Sequence, residues 1–303
     1  MEFARQDRPG ILGGRVLTGA AAFLLLFMVG GRSDESGPPS IRLTVAGPLS
    51  PAHAEAPTPA TTRVETTSAV NVAGRQRMLS QRMAKAYLML GQGVAADDAR
   101  TILRESITEF ESNLARLKAF QQPTPSVRSA LAKLEGVWTK CKPLLAAAPS
   151  KANAVEFYDA NEALQEAAHS ATLAYEHVTG APFDHLIGMA GRQHMLLQRM
   201  AKFYFYRTWG LYDASAELEL HLSRARFTAE LNQIENSPLA SARMKAGVAQ
   251  IRREWEPYQR ALFANRDPAK MRGDASRVAE LSERVSSTTA ELVVQLMALR
   301  APS

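Results

Sequence analysis

The stretch "AGRQRMLSQRMAK", Ala73 to Lys85, returns as "AGRQHMLLQRMAK", Ala190 to Lys202. From Ala73 to Tyr87, 12 of 15 positions match Ala190 to Tyr204 at a separation of 117, without a gap. On a helical wheel Val72, Gln76, Leu79, Met83, Ala86 and Leu90 fall within about 40° of one direction, which makes a bundle-facing stripe. A core needs only apolar residues of suitable size. Identity at Arg, Gln and Lys therefore marks a functional element, the trace of a recent duplication, or both.

Outward from the phrase, the repeat persists. Phe110 and Leu114 correspond to Phe227 and Leu231, Leu134 and Trp138 to Ile251 and Trp255, and Leu164 and Ser170 to Leu281 and Ser287, all at the same offset. A constant offset over about a hundred residues reads as two copies of one module. The large aromatics Phe110, Trp138, Phe227 and Trp255 read as its core. Breakers divide each copy into four helices, at about 65–90, 98–120, 126–147 and 151–178, then 183–213, 215–235, 238–264 and 272–299. Pro143 and Pro257 fall inside the third helices, where each is expected to kink or shorten its helix. Gly180 and Pro182 close the first copy. No run of alternating β-branched residues predicts a strand. The predicted fold is all-α: two tandem up-down four-helix bundles, at residues 63–180 and 181–303.

A second stripe on the first helix holds Asn71, Arg75, Met78, Arg82, Lys85 and Met89. Its counterpart holds Gly188, Arg192, Met195, Arg199, Lys202 and Tyr206. Gly74 and Gly191 border the two stripes and remove bulk where another helix could approach. Two readings fit. Converging arginines repel unless an anion sits between them, which makes a pocket for a small oxyanion. Alternatively, the stripe is a basic face whose arginines pair with acids on neighbouring helices. An up-and-down bundle ends where it began, so the second copy starts beside the start of the first. Their first helices can then lie parallel across a pseudo-twofold axis within one chain, or pair with their twins in a homodimer.

The remaining composition narrows the function classes. The 303 residues carry a net charge of +6 and are 46% hydrophobic, values of a folded globular protein. A basic balance suits nucleic acid, an anionic membrane or a small anion. No aromatic-interleaved basic run or zinc knuckle is present, so no nucleic-acid partner is expected. Cys141 is the only cysteine, which excludes an intrachain disulfide and a cysteine-rich metal site. It reads as a partly buried structural thiol. His53, His169, His177, His185 and His221 show no metal-ligand spacing. His194 lies on the side of its helix away from the arginine stripe and reads as structural. No nucleophile elbow, paired carboxylates or phosphate loop appears. No enzyme activity, catalytic residue, cofactor or metal is expected.

At the amino terminus Arg5, Arg8 and Arg15 precede the uncharged Val16–Gly31, a segment long for a signal-peptide core and short for a spanning helix. Residues 1–31 thus read as a signal peptide or as a membrane anchor. Residues 32–62, with six prolines, read as an extended linker. Export to the periplasm is expected, with membrane contact only through this first segment.

"NVAGRQRMLSQRMAKAYL", Asn71 to Leu88, resembles the P-box helix of the nitrate-sensing periplasmic domains of NarX-like histidine kinases. It resembles more closely the PilJ-type domains of chemoreceptors, the type IV pili methyl-accepting chemotaxis transducer N-terminal domains. The resemblance covers both copies and is sharp across the two first helices. It implies a four-helix bundle that binds nitrate or nitrite where two first helices meet. By position, Arg82 and Arg199 match the arginine expected to grip the anion, and Arg77 matches a second basic position. Gly74 and Gly191 match the glycine of close approach, and Asn71 opens the motif. Arg75 and Arg192 belong to the chemoreceptor-like version and would add positive potential. The second copy has Gly188 in place of Asn and His194 in place of Arg, so its site would be asymmetric. The family's sensors continue into a membrane helix and a signalling module. This chain stops at Ser303, so a separate signalling or transport partner is expected. The competing reading is a ligand-free structural or interaction bundle derived from such a sensor.

A reporter active only outside the cytoplasm, fused after residue 60, is expected to be active. A silent fusion would count against export.

Overall fold

The breakers act as their chemistry requires in the computed structural model, which describes residues 60–120 and 124–300. The expected signal or anchor segment and most of the proline-rich linker lie outside the described residues. Helix α1 (Ala60–Gln92) gives way at Gly93, whose φ of +68° is open to glycine at no steric cost. Helix α2 (Ala96–Lys118) follows. Helix α3 (Pro125–Ala146) begins with the Thr124 side chain accepting from the Val127 amide. Helix α4 (Lys151–Thr179) begins with Ser150 accepting from the Asn153 amide, and it ends on Gly180 in the left-handed region.

The second copy repeats this order with α5 (Pro182–Thr208), α6 (Asp213–Glu235) and α7 (Ala242–Phe263). It then adds a short α8 (Pro268–Met271) and a 3-10 turn (Arg272–Asp274) before α9 (Ala275–Arg300). Helix α5 stops short of the predicted residue 213, because Gly210 and Tyr212 both take positive φ. Neither Pro143 nor Pro257 ends its helix: α3 continues to Ala146 and α7 to Phe263. Among the described residues no strand occurs, and no helix is long and apolar enough to cross a membrane.

Each copy is a four-helix bundle. Helix α1 packs on α2 and α4, and α4 on α3; likewise α5 packs on α6 and α9, and α9 on α7. Equivalent aromatic pairs stack at each core, Phe110–Trp138 with centroids 4.4 Å apart and Phe227–Trp255 at 4.6 Å. Cys141 is fully buried there, and burial pushes its thiol up to about 12.

The repeat is less uniform than a constant offset of 117. Lys85 reaches Ser282 and Glu283, while its counterpart Lys202 reaches Asn161 and Glu162, so these partners are 121 apart. Buried positions agree: Ala154, Phe157, Leu164 and Tyr175 match Ala275, Val278, Val285 and Leu296. The pairing of Leu164 with Leu281 and of Ser170 with Ser287 is therefore off by about one helical turn. Helix α8 and the 3-10 turn absorb the four extra residues between α7 and α9.

The two bundles meet along α1 and α5. Thr67 donates to Asp184 at 2.9 Å, Arg77 to the Gly188 carbonyl at 3.0 Å, and Gln92 to the Phe205 carbonyl at 2.9 Å. Partners advance together along both helices, so the two run parallel. This contact makes α1 and α5 central, and apolar side chains of both copies form one continuous core across it. From Thr67 to Met89 every residue is buried except Ser68, Asn71, Arg75 and Arg82. From Leu186 to Trp209 only Gly191, Arg192 and His194 escape full burial. The wheel's division into a core stripe and a side stripe thus gives way to helices covered on nearly every side.

At the far end of the pair, a Cβ on Gly91 would overlap the Trp209 ring. Gly91→Ala is expected to lower stability by about 1–3 kcal/mol through overpacking. Combined with Trp209→Leu, it should cost less than the sum of the single changes in urea denaturation, because the two share one contact.

Candidate functional site

Covering α1 and α5 on all sides leaves their conserved-in-repeat cations inside the protein, where each needs a partner. Two of the partners, Glu283 and Glu162, come from the opposite copy. Arg82 on α1 presents its Nε and Nη2 to Glu283 on α9, at 3.0 Å and 2.6 Å, and its Nη1 to Ser106 on α2. Lys85, fully buried, donates to Ser282 at 2.9 Å and to Glu283 at 2.5 Å. Gln198 on α5 completes this cluster, donating to Glu283 and Ser286.

The second cluster mirrors the first. Arg199 on α5 forks onto Glu162 on α4 at 2.9 Å and 2.8 Å, and reaches Glu219 on α6 at 2.9 Å. Lys202 donates to Glu162 and Asn161. Gln81 on α1 lies 3.5 Å from Arg199, in the place that Gln198 takes in the first cluster. Each first helix is therefore tied to the last helix of the opposite copy.

These carboxylates are strong acids in place. Burial opposes ionisation of Glu162, but Lys202 and Arg199 outweigh it and hold the carboxyl down at about 2. Burial also opposes ionisation of Glu283, and Lys85 with Arg82 holds it well below the usual range. Burial pushes Lys202 down to about 8 despite Glu162.

The expected pair of anion-gripping arginines is thus split. Arg82 and Arg199 sit in two separate clusters, each forked onto carboxylates, instead of facing one another across the helix pair. The second tier is likewise engaged: Arg75 pairs with Glu109, and Arg192 Nε lies 3.2 Å from Glu230. Asn71 lies half-buried on α1. Of the two stripe readings, pairing with acids on neighbouring helices describes all four of these arginines.

The cation that the fold places between the two first helices is Arg77. Its side chain is fully buried. Nη2 donates to the Gly188 carbonyl on α5 and lies 3.4 Å and 3.6 Å from where a Cβ would stand on Gly74 and Gly191. Both are ordinary contact distances, so the two motif glycines flank this guanidinium without being required by its position. Nη1 lies 3.4 Å from His169 Nδ1 on α4, and among the described residues Nε–H has no hydrogen-bond partner and no carboxylate is bonded to Arg77. Burial and Arg192 push it down to about 10 against Glu176 and Glu230, which leaves it charged at neutral pH. Burial, with Arg77, holds His169 down at about 4, so its ring is neutral and Nδ1 can accept from Arg77.

The asymmetry expected at the second copy has a physical form. His194 stands where the first copy has Arg77; burial and then Arg75 hold it down at about 3, so it is neutral. Gly188 stands where the first copy has Asn71, and a Cβ there would overlap the Glu176 carboxylate of α4. Arg77 therefore meets residue 188 at its carbonyl, and Glu176 meets it at its α-carbon. Glu162, Glu176 and Glu283 carry no motif, and the sequence does not mark them as partners of the arginine phrase; Glu162 lies 37 residues from Arg199, and Glu283 lies 201 from Arg82. The four-residue shift in α9 also hid the correspondence of Glu162 with Glu283.

The architecture is a duplicated four-helix bundle paired lengthwise through its first helices. Residues 61–163 and again 184–283 match the family described as type IV pili methyl-accepting chemotaxis transducer N-terminal domains, PilJ. The chain belongs to that sensory, non-enzymatic family, and it carries the domain twice in tandem. No curated protein and no solved structure matches it.

The clusters make stability depend on acid. With its carboxyl at about 2 in the folded chain and about 4.5 ordinarily, Glu162 contributes stability above about pH 4.5 that is lost as pH falls towards 2. Glu283 contributes in the same direction. Glu162→Gln leaves Lys202 and Arg199 short of charge, and is expected to cost about 3 kcal/mol at pH 7. Its urea midpoint should then fall less steeply than that of the wild type between pH 5 and 2.

Proposed function

We propose that this chain is an exported sensory module that binds one small planar oxyanion between α1 and α5 and reports to a separate signalling protein. Nitrate and nitrite are the ligands that the family resemblance implies. The observation that carries this reading is Arg77: a fully buried guanidinium at the junction of the two copies, whose Nε–H finds no partner and which bonds no carboxylate among the described residues. Gly74 and Gly191 flank it, and Arg192 adds positive potential beside it. A forked guanidinium offers two parallel donors to a planar oxyanion, and charge-assisted bonds contribute about 1.5–3 kcal/mol each.

Arg82 and Arg199, forked onto carboxylates, serve a different role in this proposal. They fix the first helix of each copy to the last helix of the other. A displacement of α1 against α5 on anion binding then passes to α4 and α9 through Glu162 and Glu283. Because both first helices belong to one chain, a monomer suffices for the site.

Calorimetric titration of the purified chain with nitrate, nitrite, sulfate and chloride tests this directly. Arg77→Ala should abolish binding, and Arg77→Lys should weaken it about tenfold or more, since lysine keeps the charge but loses the fork. Arg82→Ala and Arg199→Ala should chiefly lower thermal stability. Absence of heat with every anion would leave the ligand-free bundle as the better reading, and loss of binding on dilution to monomer would replace the intrachain site by one between chains.

A further inference from the structure

Helix α6 is apolar on two opposite faces. Its inner face, with Ala216, Leu220, Phe227, Leu231 and Ile234, is buried in the core of the second copy. Its outer face carries Ser215, Leu218, Leu222, Ala225, Ala229 and Asn232, all exposed, with Leu218 60% and Leu222 40% open to solvent. These six follow one another at steps of three and four residues, the spacing that keeps a stripe on one side of a helix and forms a two-helix seam. A surface helix ordinarily buries one stripe and solvates the other. The equivalent face of α2, 117 residues earlier, obeys that rule with Asp98, Thr101, Glu105, Thr108, Ser112 and Ala115. The same helix in the same bundle position thus does without an apolar outer face, so the fold does not require one on α6.

The stripe is complementary to itself. When a second α6 lies antiparallel, with the axis between residues 222 and 225, Leu218 faces the partner's Ala229 and Leu222 faces the partner's Ala225. By symmetry each of the four central layers holds one leucine and one alanine. Ser215 meets the partner's Asn232 at either end, which closes the apolar layers with polar pairs. Large against small in every layer fills the space between two helices evenly. Parallel pairing in register would stack leucine on leucine at one end and alanine on alanine at the other. An open groove of about 510 Å³, lined by Arg224, Ala225, Thr228, Ala229, Asn232 and Gln259, runs along the small half of the stripe and has room for the incoming leucines.

Charge selects the same arrangement. Glu219 borders the stripe, and Arg226 stands exposed two turns further along the same edge. Glu219 accepts from Arg199 through Oε2 only, and its side chain is still 31% exposed. Antiparallel pairing brings each Glu219 to the partner's Arg226, twice by symmetry. Parallel pairing sets that edge against His221 and Thr228, neither of which offers Arg226 an opposite charge.

We infer that the outer face of α6 is a homodimer interface, which receives the α6 of a second copy of this chain, antiparallel across a twofold axis at residues 222–225. One helix pair is a small interface, so the dimer forms weakly and reversibly with concentration. It uses neither Arg77 nor any side chain that touches it, and stands independently of the oxyanion reading.

Sedimentation velocity on the full chain, from micromolar to near-millimolar concentration, should show a monomer passing into a dimer. Leu218→Glu places a charge in an apolar layer and should raise the dissociation constant about tenfold or more. The thermal midpoint of the dilute monomer should not move, because Leu218 is exposed there. Register is read by crosslinking under mild oxidation. The double variant Leu218→Cys with Ala229→Cys should join two chains, and neither single variant should, because identical positions lie about 16 Å apart along an antiparallel pair. Cys141 is buried and takes no part. A chain that stays monomeric throughout, or a dimer indifferent to Leu218→Glu, overturns the interface. Crosslinking by the single variants as readily as by the double one overturns the antiparallel pairing.

Discussion

The structure depends on one constraint: two basic helices, α1 and α5, lie side by side in the centre of the protein and must have every buried cation matched. Apolar burial drives the two copies together into a single core. That same burial removes Lys85, Lys202, Arg77 and nearly all of Arg199 from water, at a cost that only bonded partners offset. The partners are supplied reciprocally, Glu283 of the second copy to the first helix of the first, and Glu162 of the first copy to the first helix of the second. Neither cluster is complete within one bundle, although Glu219 of the second copy also pairs with Arg199. The described residues of the two copies consequently form one compact unit, although the sequence repeats.

Reciprocity also explains why the tandem arrangement differs from two free-standing domains. In the pairing of α1 with α5, the fourth helices are clamped to the opposite first helices by forked, charge-assisted bonds. A sliding motion of one first helix would have to break or carry these bonds with it. The ion clusters are thus rigid couplings between the junction and the helices at its flanks. Arg77, by contrast, is held by a carbonyl and a neutral ring, which are weaker partners and more readily exchanged.

The departures of the second copy concentrate where the two copies touch. His194 in place of arginine removes one of two positive charges that would otherwise meet at the pseudo-twofold axis. Gly188 in place of asparagine admits a carboxylate from α4. Together they exchange a symmetric pair of cations for one cation and one anion on either side of residue 188. In a homodimer such a change would have to occur twice; in a tandem chain each half varies alone.

What the sequence determined by itself was the fold class and the repeat. Helical periodicity, turn residues such as Gly180 and Ser150, and the duplicated arginine phrase are local signals. They specify helices, caps and copies without reference to distant residues. The aromatic pairs Phe110–Trp138 and Phe227–Trp255 were legible for the same reason, because the repeat marks them twice. What only the tertiary structure decided was which arginine faces which group. Arg77, Arg82 and Arg199 stand on helices of the same pattern, and a wheel assigns each an angle but no neighbour. The neighbours come from α4 and α9, as far as 201 residues away, in a register set by a four-residue shift that no motif announces. Electrostatic partners act through space over a few ångströms, so the folded chain alone could separate Arg82 and Arg199, forked onto carboxylates, from Arg77, held by a carbonyl and a neutral ring.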